Sequence, residues 1–184
     1  MNWNVVSLES QPAQSWRNGG GITRELLAWP DATDWRVRIS VADVQTSGPF
    51  SRFDGWERWF AVLEGDGIVL RTQFAEHHLT CESDPFRFDG GLPIEAAPVR
   101  GATRDFNLMA LPGRSRMERV RGVGPVHGAA GALLALYTHG DGAVMRCAQQ
   151  KLELPPYHLA WQIASDALQA NVQAEDALWM EVMT

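Results

Sequence analysis

Arginine is the residue type in this chain best suited to specific chemistry, and its spacing is informative. Arg36 and Arg38 alternate along Trp35-Arg36-Val37-Arg38-Ile39-Ser40-Val41-Ala42. Arg58 follows a turn-rich aromatic segment, Gly48-Pro49-Phe50-Ser51-Arg52-Phe53-Asp54-Gly55-Trp56. A guanidinium is a planar fork of donors that matches a carboxylate or a phosphate. If the strand face that carries it turns into the mouth of a small barrel, it needs a counter-charge, either an internal acid or an anionic ligand. If that face turns outward, the same arginines are solvated or salt-bridged. Spacing alone leaves both readings open.

Two further segments carry suitable groups. In Trp16-Arg17-Asn18-Gly19-Gly20-Gly21-Ile22-Thr23 the three glycines let backbone N–H groups approach an anion, and Asn18 tolerates left-handed geometry. The alternative is a tight loop with a bulge. No Gly-Lys-Ser/Thr follows, so it is not a P-loop. In Arg104-Asp105-Phe106-Asn107-Leu108-Met109, Asp105 and Asn107 share one face. There Asp105 is placed to hold an arginine and Asn107 to offer a donor and an acceptor to a ligand; structural hydrogen bonding is the alternative. Metal chemistry is not expected: no His-X-His or Cys-X-X-Cys occurs, and the adjacent His77 and His78 point to opposite faces of a strand. No Gly-X-Ser-X-Gly elbow signals a nucleophilic serine.

The elements that must position these residues read as short strands. Alternation marks Ile22 to Trp29, Trp35 to Ala42 and Glu57 to Leu63, with Ile68 to Thr72 returning as a hairpin partner across Gly65-Asp66-Gly67. Pro85 to Phe88 and Phe106 to Leu111 continue the pattern, separated by a loop from Asp89 to Arg104. Met117 to Arg121, Leu133 to Thr138, Val144 to Cys147, His158 to Ala164 and Ala177 to Met183 complete it, with Gly140-Asp141-Gly142 as a second glycine-flanked turn. Short helices are conceivable only at Pro12 to Trp16 or Ser165 to Ala170. Many short strands at regular spacing predict an all-β sandwich or barrel. Composition changes near Pro112-Gly113, from Trp-, Phe- and Arg-rich to Ala-, Leu- and Gly-rich. Two lobes are therefore expected, 1–112 and 113–184, with strand exchange between them allowed.

Bulk properties narrow the function classes. The chain has 184 residues and a net charge of −6, and its 16 basic residues are all arginine except Lys151. Scattered arginines in an acidic chain argue against a nucleic-acid partner. The longest apolar stretch, Val126 to Thr138, is short of the ~20 residues of a membrane span, so no membrane partner is expected. The start Met1-Asn2-Trp3-Asn4 has no secretory pattern, and Cys81 and Cys147 lie far apart. A cytoplasmic protein with two free thiols is the expectation.

Taken together and in order, Trp16 to Gly21 with Thr23 and Glu25, Trp35 to Ala42, Gly48 to Phe53 with Arg58, and Asp105 to Met109 resemble the HutD/Ves family. The likeness is specific up to about Leu111 and only general beyond it. The resemblance implies a bicupin, two cupin-type β-barrels packed as one unit, without the usual cupin metal histidines. It implies no cofactor, and a role in limiting histidine utilisation by binding a small acidic intermediate such as formylglutamate or urocanate. Other members are stress-induced proteins of unknown activity. The family offers no catalytic residues. What carries over is a ligand-binding set: Trp16, Asn18, Gly20, Thr23, Arg36, Ser40, Arg58, Asp105 and Asn107. Arg36 and Arg58 are the anion-binding candidates, and Trp16 or Phe50 would be a wall. Two other readings remain: a metal-independent isomerase or lyase using Asp105, Asp43 or Glu25 as acid or base, and an interaction protein presenting exposed tryptophans. A homodimer through a sheet edge is compatible with all three.

Overall fold

The structure, a computed structural model, describes residues 2–184. Among the described residues the regular secondary structure is entirely β. The chain divides into two units, Gln11–Gly113, and Arg114–Thr184 together with the chain start up to Ser10. The chain start thus groups with the C-terminal segment rather than with the residues that follow it. Strand β1 (Asn4–Ser7) hydrogen-bonds a strand of the C-terminal unit instead, pairing Val5 with Ala160 and Val6 with Leu159.

The unit Gln11–Gly113 is a sandwich of two antiparallel sheets. β2 (Gln14–Ser15), β3 (Gly21–Trp29), β4 (Val37–Val44), β6 (Glu57–Glu64), β9 (Phe86–Asp89) and β11 (Thr103–Ala110) form one, in the order β2-β3-β4-β11-β6-β9. β5 (Gly48–Pro49), β7 (Ile68–Arg71), β8 (Glu76–Leu79) and β10 (Glu95–Pro98) form the other, in the order β5-β10-β7-β8. The filling is apolar: Ala42, Phe60 and Val62 from the first sheet meet Ile68, Leu70 and Ala96 from the second. Burying each of the Phe, Val, Ile and Leu side chains contributes about 1.5–3 kcal/mol. This is the cupin-type arrangement, with sheets that stay open rather than closing into barrels.

The expected hairpin of Glu57 to Leu63 with Ile68 to Thr72 does not form, because β6 and β7 lie in different sheets. Gly65 (φ +100°) and Gly67 (φ +108°) instead turn the chain from one sheet to the other. A Cβ on either would meet a backbone carbonyl oxygen at 2.7 Å, so only glycine fits this crossing. The segment read as one loop from Asp89 to Arg104 contains β10, whose Glu-Ala-Ala-Pro sequence has little strand propensity and is held by pairing with β7.

The C-terminal unit is one sheet of β12 (Ser115–Gly128), β13 (Ala132–Cys147), β14 (Gln150–Leu154), β15 (His158–Ile163), β16 (Leu168–Met183) and β1. Gly140-Asp141-Gly142 is not a hairpin turn. It is a bulge within β13, which pairs with β16 on both sides, at His139↔Asp176 and at Ala143↔Ala174. The chain advances from 139 to 143 on one strand against 176 to 174 on the other, and the positive φ of Gly140 and Gly142 absorbs the surplus. Neither conceivable helix forms; β2 and the start of β16 occupy those segments. Trp179 is fully buried, and its indole N–H donates to the His127 carbonyl at 3.1 Å.

Candidate functional site

Register across three neighbouring strands builds the site. On the face of β4, β11 and β6 that turns toward the sandwich interior, residues line up in rows. Arg38, Met109 and Arg58 form one row, Ser40, Asn107 and Phe60 the next, and Ala42, Asp105 and Val62 the third. Met109 pairs with both arginines, which sets Arg38 and Arg58 two strand spacings apart, roughly 10 Å between backbones. β3 adds Thr23 opposite Ala42. Above the first two rows and Ala42 of the third opens a cavity of about 530 Å³, closed by the Trp16–Asn18 turn and by Pro49, Phe50, Ser51 and Phe53.

Arg58 dominates the electrostatics. Its side chain lies among Phe50, Phe60 and Phe88, with the guanidinium carbon 4.5, 6.0 and 5.5 Å from the three ring centroids. Its Nε and Nη2 both donate to Asn107 Oδ1, at 2.9 and 2.6 Å. No carboxylate of the described residues lies within 4 Å of it. Burial lowers its pKa to about 10, opposed by the charge of Asp105 and aided by that of Arg38, so it stays a cation at neutral pH. Arg38 is held differently, its Nε donating to Glu25 Oε2 at 2.6 Å.

Asp105 is completely buried in the third row, beneath the cavity floor. Its Oδ2 accepts the Thr103 hydroxyl at 2.8 Å, and its Oδ1 has no hydrogen-bond partner. Burial raises its pKa to about 7; the Thr103 bond and Arg58 oppose that rise, and Asp43 adds to it. The other candidate acids for acid–base work, Asp43 and Glu25, are tied up. Asp43 accepts from Arg24 at 3.2 Å and from Arg104 at 2.7 Å, and Glu25 holds Arg38.

Trp16, Asn18, Thr23, Ser40, Arg58 and Asn107 all line the cavity. Three residues of the expected set do not. Gly20 is buried behind it and its N–H donates to Asn18 Oδ1 at 3.0 Å, while Gly19 N–H donates to the Trp16 carbonyl, so the glycine amides close a turn rather than cradle an anion. Asp105 lies below the floor. Arg36 is exposed and precedes β4, which begins at Val37, and only its backbone N–H is engaged, at 2.6 Å from the Trp29 carbonyl. Arg38 takes the place expected of Arg36. Both alternate in phase with Ser40, and the point at which the strand starts decides between them. Arg17, outside the expected set, also lines the cavity with an exposed side chain; nothing in its spacing distinguishes it from a solvated arginine.

Walls and anchors support one another. Trp16 Nε1 donates to Thr23 Oγ1 at 2.8 Å, and the Trp16 ring meets Phe50 edge-on at 6.3 Å. The cavity lining carries three arginines and no carboxylate. Such a pocket suits a small anion with a modest apolar body. Among the described residues no group of three or more His, Cys, Asp or Glu side chains gathers as metal ligands, and no helix is long and apolar enough to cross a membrane.

The family model described as HutD matches residues 8–180. An uncharacterized 21.2 kDa protein in the hutC 3′ region of Pseudomonas putida is 35% identical over 116 residues, covering 61% of this chain and 60% of that protein. Protein Ves of Escherichia fergusonii is 38% identical over 104 residues, 55% of this chain and 54% of that protein. The chain therefore matches between half and two thirds of the length of these curated relatives. The solved structure of HutD from Pseudomonas fluorescens SBW25, in a formate condition, superposes with a TM-score of 0.85 at 26% identity over 100% of both chains.

Proposed function

The chain belongs to the HutD family, and on that footing we propose that it binds a small carboxylate in the Arg58 cavity and serves histidine utilisation by holding an acidic intermediate. The observation that carries this reading is the imbalance of the cavity. Arg17, Arg38 and Arg58 line it without an acid, and the most buried of them, Arg58, is oriented by a neutral amide instead of a carboxylate. A buried cation left without a contacting counter-ion is costly, and an anionic ligand removes that cost. Ser40, Thr23 and Asn18 supply neutral hydrogen-bonding groups, and Trp16 and Phe50 an apolar wall. One relative supports the link to histidine utilisation, since it is described by its place in a hutC 3′ region.

An isomerase or lyase reading has less support. It needs a carboxyl group that reaches the ligand, and none of the cavity-lining residues has one. The test is calorimetric titration of the protein with formylglutamate, urocanate, glutamate and formate, each repeated on an Arg58→Met/Asn107→Leu variant. Saturable heat with at least one ligand, lost in the variant, is expected. No heat and no thermal shift with any of them at millimolar concentration would refute the proposal.

A further inference from the structure

We propose that Asp105 takes up a proton when an anion occupies the cavity beside Arg58, so that the site captures its carboxylate together with a proton. This rests on the carboxylate-binding reading and goes beyond it by adding a second, coupled ligand.

The geometry is one buried cation, Arg58, and one buried acid, Asp105, with the neutral Asn107 between them. Arg58 and Asp105 project from adjacent strands toward the same interior, one on the first row and the other on the third, with Asn107 between them. Asp105 is the acid whose charge supports that of Arg58. It is poorly equipped to stay ionised. It is fully buried, only one of its oxygens is hydrogen-bonded, and the other has no partner. A carboxylate lacking donors in an enclosed site depends on nearby positive charge to remain an anion. A ligand carboxylate drawn to Arg58 takes over that charge. Two anions then share one buried cation, and the enclosed one, with its spare oxygen, is the one that protonates.

The surroundings of Asp105 leave few competing titrations. On its own strand its neighbours are the Thr103 hydroxyl and the neutral Asn107. β6 supplies Arg58 and the apolar Val62. From β4, Asp43 acts at a distance while bound to Arg24 and Arg104, and Arg104 also holds Glu64; Arg38 is bound to Glu25. The opposite sheet contributes Ile68, Leu70 and Ala96. Cys81 packs at the border of this core with its thiol directed to the Leu63 and Gly65 carbonyls. His77 lies farther out, stacked on Phe86 with ring centroids 4.4 Å apart.

Because the free carboxyl titrates at about 7, the direction of the effect follows. Well below that pH the proton is already in place and affinity is flat. Above it each bound anion must bring a proton, so affinity falls by about tenfold per pH unit until the bound-state pKa is reached. Formate is the probe, since it remains an anion from pH 6 to 9 and Arg58 remains a cation through most of that range. Titrations at each pH, in two buffers of different ionisation enthalpy, count the protons directly.

The expected result is affinity nearly level near pH 6, about fivefold weaker at pH 8 than at pH 7 and about tenfold weaker again at pH 9, with uptake approaching one proton per formate at pH 8. Asp105→Asn, a neutral variant of the same shape, is expected to bind with no pH dependence and no proton uptake. If that variant does not fold, proton counting on the unaltered protein still decides. Formate binding with level affinity and no proton uptake from pH 6 to 9 would overturn the coupling while leaving the anion site intact. No formate binding at any pH would overturn the site reading, and the coupling with it.

Discussion

Asn107 is the most informative residue to perturb, because its side-chain oxygen accepts two bonds from a buried cation. Asn107→Leu keeps the size of the side chain and removes the acceptor. Arg58 Nε and Nη2 then face no partner in a place that is 8% exposed. A hydrogen bond to a charged group contributes roughly 1.5–3 kcal/mol, and stranding a buried charge costs about 3–5 kcal/mol. We expect a loss of about 4 kcal/mol, and at about 2–4 °C per kcal/mol for a chain of this length that is a Tm drop of roughly 10 °C. Adding Arg58→Met removes the stranded ion as well. Replacing a buried ion and its partner by apolar groups is neutral to stabilising, so the double variant should recover most of the loss. The assay is thermal unfolding of the three proteins at pH 6, where Asp105 is largely protonated and does not itself lose a needed cation. If Asn107→Leu stays within about 1 kcal/mol of the parent protein, or the double variant is no more stable than the single one, the account of Arg58 as a cation oriented chiefly by Asn107 is refuted.

Three further outcomes follow from the same geometry. Asp105 has a folded-state pKa raised from 3.8 to about 7, so the native chain holds a proton that the unfolded chain has released. The stability it contributes is full below about pH 4 and is lost as pH rises to 7, at up to about 1.4 kcal/mol per unit. The stability difference between the parent and Asp105→Asn should therefore shift against the parent between pH 5 and 7, and a constant difference across urea-unfolding curves would contradict this. Gly21→Ala would place a Cβ 2.4 Å from the Asp43 carbonyl oxygen and should cost about 3 kcal/mol, whereas Gly19→Ala meets nothing within 4 Å and pays only for its φ of +72°, about 1 kcal/mol; equal effects in thermal unfolding would refute the steric reading. In the C-terminal unit, Arg119 pairs with Asp176 at 2.7 Å with side chains 3% and 13% exposed, so Arg119→Met should destabilise by about 3 kcal/mol even with Arg121 3.8 Å from the same carboxylate, and a silent substitution in urea unfolding would count against it.

Period-two alternation was enough to read the strands that build the site. Arg38, Ser40 and Ala42 share a face, as do Asp105, Asn107 and Met109, and the register of β4 on β11 follows from burying both sets. The family likeness added which loops close over them. What alternation does not encode is where a strand begins, so Arg36 and Arg38 were equivalent until Val37 proved to be the first residue of β4. Nor does it say which sheet a strand joins. Gly65-Asp66-Gly67 and Gly140-Asp141-Gly142 are the same local pattern, yet one crosses between sheets and the other bulges within a strand, because tertiary pairing of β7 with β10 and of β13 with β16 decides. The depth of Asp105 was equally hidden. An acid on the pocket face reads the same from sequence whether it lines the cavity or lies beneath it. Membership of β1 in the C-terminal unit is likewise a long-range pairing, joining Val5 to Ala160.

The most direct measurement of the central claim is a calorimetric titration of formylglutamate and formate into the protein and into Arg58→Met/Asn107→Leu, side by side at pH 6. Saturable binding to the parent protein and none to a double variant that remains folded is the predicted result. Equal binding to both, or to neither, would contradict the assignment of the Arg58 cavity as a carboxylate site.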